Sequence, residues 1–177
     1  MTNAQILKTE TETLHDQVEL VMNSALLFTN QFNLSHYKHF IQKSYNYVNF
    51  LQPIILTNWP DFQALLSAKE KALTTDLQHL SLPVKPDVDL SVASTNKYFQ
   101  LGLIYIVLGA MLGNKVILNK LHKFEEFQGF PFAYLSHRPE NLSEMWKAFQ
   151  ADLNELSAEQ LEQVIAGAKK GYALFGA

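Results

Sequence analysis

Three side chains near the N-terminus are placed to do chemistry together. His15 and Glu19 are four residues apart, so a helix brings them onto one face. The Glu19 carboxylate can then receive one imidazole N–H and orient the ring, an arrangement typical of metal-ligating histidines. Lys8 lies two turns before His15 on the same side, roughly 10 Å along the axis. A neutral imidazole held by a carboxylate, with a cation at that distance, suits a metal-bearing macrocycle with acidic edge groups. The same residues also fit the polar boundary of an amphipathic helix. On this helix alone both readings stand.

The second informative stretch is KYFQLGLIYIVLGAMLGNKVILNKL, Lys97 to Leu121. Seventeen of its residues, Tyr98 to Asn114, pass without a charge. A membrane-spanning helix needs roughly 20 predominantly apolar residues. Gln100 and Asn114 interrupt this one, and Lys97, Lys115 and Lys120 stand close by. A buried helix without membrane insertion is expected. At about 100° per residue Gly102, Gly109 and Gly113 share one face. Each costs a helix about 1 kcal/mol relative to alanine. Bare backbone is useful where something flat, or another backbone, must come close. One reading is helix–helix packing, with Ala110 helping. The other is a planar ligand lying on the glycine face. Gly102→Ala is expected to be mild under either.

Other candidates are weaker. His36 and His39 are three apart and could share a metal, but no carboxylate stands at matching spacing, and a surface pair is the alternative. His79, His122 and His137 fall near helix ends or loops. No HExxH motif or phosphate-binding glycine loop is present. The 177 residues suit one domain, 1–177, and are enough to bury a sizeable core. Hydrophobic residues make up 47% and charged residues 18%, with a net charge of −3, which argues against a nucleic-acid partner needing a basic face. There is no cysteine, so disulfides and thiolate chemistry are excluded, in keeping with a reducing cytoplasm. The opening residues are too polar and acidic for a signal or transit peptide.

The elements that must position these residues are helices. Thr2 with Gln5 fits a capping box, and an apolar stripe continues to about Phe28. A second helix is expected from Ser35 to Leu56, bent or shortened by Pro53. A third covers Asp61 to Leu80. Ser81 to Leu90 is a connector. The central helix should begin near Ser91 and bend at its glycines. Phe124 to Pro139 reads as loop. Asn141 with Glu144, and Ser157 with Gln160, mark helix starts for Leu142–Leu156 and Ala158–Phe175. The expected fold is all-α, with several helices around the central one.

Taken together, these stretches resemble heme oxygenases. LKTETETLHDQVE, Leu7 to Glu19, is similar to the family's opening helix, LK-x-x-T-x-x-x-H-x-x-x-E. LIYIVLGAMLGNKVI, Leu103 to Ile117, is similar to its distal helix, especially the bacterial form YVLEGSxLGGxVI. MWKAFQADLNELSAEQLEQVIAGAKKGYALF resembles its last two helices, with an Ala-Lys-x-x-aromatic element at Ala168, Lys169 and Tyr172. The resemblance spans nearly the whole chain and is weakest in the middle.

The resemblance implies a heme oxygenase-like fold with a kinked, glycine-bearing central helix. It also implies oxidative cleavage of heme to biliverdin, carbon monoxide and ferrous iron. Heme would be substrate and cofactor, O2 the oxidant, and a separate reductase or ferredoxin the electron donor. His15 matches the ligand to heme iron and Glu19 the residue that orients it. Lys8 matches a base that pairs with a propionate, and Tyr172 falls in the heme-contacting ending. Gly109 and Gly113 match the distal glycines that lie against heme and leave room for oxygen. The chain also departs from the family. Ala110 stands where animal enzymes have an aspartate and bacterial ones often a serine. Leu108 replaces a glutamate, and Asn114 replaces a glycine and could anchor a distal water. Lys147 is displaced by about one residue from the base of the next-to-last helix. The Ala110 and Asn114 changes keep open a second function, heme binding or sequestration without turnover. A non-heme relative on the same scaffold is a third.

Overall fold

The computed structural model describes residues 1–177. It contains seven helices and no strand: α1 (Asn3–Val21), α2 (Leu34–Ile55), α3 (Gln63–His79), α4 (Lys97–Leu121), α5 (Ala133–Ser136), α6 (Leu142–Asn154) and α7 (Ala158–Phe175). The all-α expectation holds. Thr2 and Ser157 both form the capping boxes their spacing predicts, with Gln5 and Gln160. Asn141 starts α6 without a side-chain cap, unlike its expected role.

Local chemistry accounts for the other shifted boundaries. The first helix ends at Val21, and Asn23 takes a left-handed conformation before a 3₁₀ turn at Ser24–Leu27. Asn33 caps α2 by accepting from His36 N, while the His36 ring accepts from Asn33 N at 3.1 Å. That ring nitrogen is thus engaged in the cap. Pro53 is contained within α2. The central helix begins at Lys97, later than expected, because the Asn96 side chain accepts from the amides of Tyr98 and Phe99 at 2.8 and 3.2 Å. It then runs to Leu121 without breaking into two helices.

Phe124 to Pro139 is less loop-like than its glycine and prolines suggest. It carries a 3₁₀ turn at Glu125–Phe127 and the single turn α5, and buries Phe127, Phe132 and Tyr134. The Asp76 carboxylate on α3 accepts from Ala133 N at 2.8 Å, Tyr134 N at 2.9 Å and the Tyr37 hydroxyl at 3.3 Å. These charge-assisted bonds hold the segment where periodicity gives no signal.

The most intimate packing is between α4 and α7. A Cβ on Gly102 would collide with Val164 O and lie 2.5 Å from Ala168 N, and one on Gly167 would collide with Phe99 O. Two backbones touch there, which only glycine permits. Gly102→Ala is therefore not the mild substitution expected from propensity. Helix α4 is the one helix long and apolar enough to cross a membrane. Here it is a core helix, with Leu101, Leu103, Ile104 and Leu108 buried in one contiguous cluster with α2, α3 and α7. On α2, Tyr47 donates to Leu103 O at 2.8 Å.

Two further ties set the position of α1. Asn3 Nδ2 donates to Leu153 O and Leu156 O, both at 2.9 Å. Lys169 of α7 pairs with Glu10 at 2.8 Å.

Candidate functional site

Helices α1 and α4 flank a cavity of about 690 Å³, within the range of small-molecule sites. From α1 it receives Lys8, Thr11, His15 and Glu19, and from α4 Tyr105, Gly109, Ala110, Gly113 and Asn114. Tyr172 and Phe175 of α7, Trp146 and Gln150 of α6 and Phe40 of α2 complete the wall. The His15 helix and the glycine helix, 94 residues apart between His15 and Gly109, thus share one space.

The glycine stripe divides by position. Gly102 packs on α7, as described above. A Cβ on Gly109 or Gly113 would meet nothing within 4 Å. The packing reading holds at the N-terminal end, where the face seats a backbone, while the C-terminal half opens on the cavity.

The His15 side chain is 53% exposed at the cavity edge. Its Nδ1 lies 3.7 Å from Asp16 Oδ1 and 3.8 Å from Glu19 Oε1. Both distances exceed hydrogen-bond length, but two carboxylates face the same ring nitrogen. The three ligand atoms lie within 4.8 Å of one another. The Tyr172 ring meets the imidazole edge-on, with centroids 6.0 Å apart. Burial pushes the Tyr172 phenol up, with Tyr105 and Glu19 adding to it, so the ring stays neutral.

The remaining wall is aromatic. Tyr105 stacks on Trp146 with centroids 6.0 Å apart and planes at 29°. Burial raises the Tyr105 phenol, and Thr11 beside it lowers it in part. Asn114 is 4% exposed, and its Nδ2 has no hydrogen-bond partner. No acidic side chain of α4 reaches the cavity, and Ala110 supplies only a methyl group.

Of the residues singled out from the sequence, the cavity collects Lys8, His15, Glu19, Gly109, Gly113, Asn114 and Tyr172. Lys147 is not among them: it is exposed on α6, while its neighbour Trp146 and Gln150, one turn on, face the cavity. Sequence reasoning missed Thr11, Tyr105, Trp146 and Phe40 as site residues. Thr11 stands four residues before His15 and Tyr105 four before Gly109, so the helical period alone was enough to find both. Phe40 and Trp146 come from other helices and carry no such local signal.

An orphaned amide, a backbone stripe with open space above it and an imidazole facing carboxylates fit a large, flat, metal-bearing ligand with acidic edges. No protein-family model and no curated protein matches the chain. Solved structures do. The heme oxygenase of Neisseria meningitidis, described in NO- and CO-bound forms, aligns with a TM-score of 0.73 and 23% identity over 99% of this chain and 88% of its own. The heme oxygenase of Leptospira interrogans aligns with a TM-score of 0.74 and 14% identity over 99% of this chain and 97% of its own. The chain has the heme oxygenase fold.

Proposed function

We propose that residues 1–177 act as one domain that is a heme oxygenase, cleaving heme to biliverdin, carbon monoxide and ferrous iron. The observation that carries this reading is the shared cavity: His15 of α1 and the uncovered backbone of Gly109 and Gly113 on α4 face the same space. Heme supplies the iron at which O2 is reduced and the ring that is oxidised, with electrons from an external reductase or ferredoxin.

The chain's own residues supply the rest. His15 turns Nδ1 toward Asp16 and Glu19, which leaves Nε2 to ligate iron. Tyr172 limits the swing of the imidazole by packing on its edge. Lys8, exposed at the rim, offers an ammonium to a propionate. Gly109 and Gly113 let the ring approach the α4 backbone and leave room for a small diatomic ligand. Tyr105, Trp146 and Phe175 cover apolar ring surface and exclude water. Asn114 offers the one uncommitted amide on the α4 wall.

The test is to add hemin and follow the Soret band, then supply ascorbate or a reductase in air. The expected result is a Soret band that decays as a biliverdin band grows. In His15→Ala the wild-type ferric spectrum should be lost, and exogenous imidazole should restore it. A Soret band that persists under reduction identifies a heme-binding protein without turnover. Absence of any Soret band in the wild type rejects heme as ligand.

A further inference from the structure

The mouth of the cavity is bordered by side chains that the fold leaves unpartnered. Of the eight large apolar side chains left exposed on the chain, four stand on the segments that form this mouth: Leu20, Phe28, Leu112 and Val116. Leu20 is 74% exposed and Phe28 63%. On α4, Leu112 and Val116 are one turn apart, and Lys120 and Lys123 continue the same strip. The Lys120 ammonium lies 4.8 Å from the centroid of the Phe28 ring, which joins that ring to the strip. Apolar surface of this kind, rimmed by charge, marks a place where another molecule sits.

The two lips of the mouth carry opposite charge. Leu90 to Phe124, which includes all of α4, has four lysines and no Asp or Glu, although the chain has 17 acidic residues. Lys115, Lys120 and Lys123 fall in the half of α4 beyond Gly113. Across the mouth, Glu12, Asp16 and Glu19 of α1 line the cavity and are exposed. None of the three is paired with a lysine, and Asp16 and Glu19 face only the His15 ring. Lys8 is the one cation on that lip, about 12 Å back from Asp16 along the axis. The acidic strip Glu12–Leu20 is about 12 Å long by helix rise, and the basic strip Leu112–Lys123 about 16 Å.

A partner of uniform charge matches one lip and is repelled by the other, which disfavours an anionic lipid surface. A second copy of the chain carries both signs on strips of similar length. A two-fold axis along the cleft turns the acidic strip of each copy onto the basic strip of the other, with the apolar side chains of both between them. We propose that this face is the contact of a symmetric homodimer of the heme-free protein, in which each copy covers the cavity mouth of its partner. Four exposed apolar side chains on each side, with ion pairs at the rim, place the contact in the weak, reversible class. Hemin enters by the same mouth, so the two associations exclude each other; this step rests on the heme reading above. By linkage, hemin weakens dimerisation and dimerisation weakens hemin binding by the same factor.

Sedimentation velocity of the heme-free chain tests the contact. The mass should rise with concentration from 20.2 kDa toward twice that value. Raising NaCl from about 0.1 M to about 1 M shortens the Debye length from about 10 Å to about 3 Å, and should weaken association about tenfold. The double variant Lys120→Glu, Lys123→Glu should stay single, because like charges then face each other, and so should Glu12→Lys, Asp16→Lys. Mixed in equal amounts, the two should pair again, since every acidic strip regains a basic one. Each variant is melted by circular dichroism, so loss of fold is read separately from loss of pairing. A 20.2 kDa mass at every concentration overturns the inference, as does a wild type that stays single and sediments with anionic vesicles. Double variants that pair like wild type, or that fail to pair when mixed, overturn the assignment to this face. Adding hemin should return the wild-type dimer to single copies. A dimer that persists beside a normal Soret band overturns the shared mouth, whereas a wild type with no Soret band rejects the heme reading and leaves the dimer standing.

Discussion

Gly102→Ala and Gly113→Leu should change the heme-free protein in opposite directions, although both replace a glycine on one face of α4. At Gly102 the added Cβ would sit 2.5 Å from Ala168 N and 2.9 Å from Gly167 C, with Val164 O closer still. Carbon contacts settle at about 3.5–4.0 Å, so α4 and α7 must part by about 1 Å. The obstacles are backbone atoms and cannot rotate aside. That places the cost at or above the upper end of the roughly 1–3 kcal/mol of overpacking. Helix propensity returns about 1 kcal/mol, leaving a net loss of about 2–3 kcal/mol. For a chain of this size each kcal/mol shifts Tm by roughly 2–4 °C, so Gly102→Ala should melt roughly 4–12 °C below wild type. At Gly113 nothing lies within 4 Å, and the leucine gains most of the same propensity term. The heme-free Gly113→Leu protein should melt at or a few degrees above wild type, while its hemin spectrum is damaged by a side chain in the cavity. Thermal melts by circular dichroism and a hemin titration read both. A Gly102→Ala protein as stable as wild type would refute the backbone contact. A Gly113→Leu protein that melts far lower, or that binds hemin normally, would refute the open face.

Three further predictions concern lysines. Lys69 is fully buried with no carboxylate partner, and burial lowers it from 10.5 to about 8. Because the folded value lies below the unfolded one, the unfolded chain binds more protons between about pH 8 and 10.5. Stability should therefore rise across that window, by on the order of 3 kcal/mol from this group. Lys69→Met should remove the rise, so its advantage in urea unfolding should shrink from pH 7 to pH 10; parallel curves for the two proteins would contradict the buried cation. Lys8→Glu should weaken hemin binding by about 1 kcal/mol or less at an exposed site, up to about fivefold in Kd. Lys147→Ala should leave it unchanged, and a loss at Lys147 equal to that at Lys8 would mean that α6 sits differently against the cavity.

What could be read from the sequence followed the reach of each interaction. Capping boxes at Thr2 and Ser157 are contained in four residues, and the structure forms both. Helical periods carry Lys8, His15 and Glu19 to one face, and Gly109 and Gly113 to another, because each set lies within one helix. Long-range contacts left weaker marks. The acceptance of Ala133 and Tyr134 amides by Asp76, 57 and 58 residues away, has no local signature. The segment it anchors therefore reads as loop. Gly102 shows the same limit in sharper form. Its type and spacing announce a close approach, but whether the visitor is a ligand or a helix depends on where α7 ends along α4. Gly167 and Gly171 carry the complementary half of that information, 65 and 69 residues later. A Cβ on Gly171 would press on Ile106 and on the Tyr47 hydroxyl. Small residues on α7 at positions 164–171 thus match Phe99 to Ile106 of α4, and the match stops before Gly109. The cavity starts where the supply of facing glycines runs out. Pairing the two glycine series is a reading that the sequence permits, and it separates the packing half of the stripe from the open half.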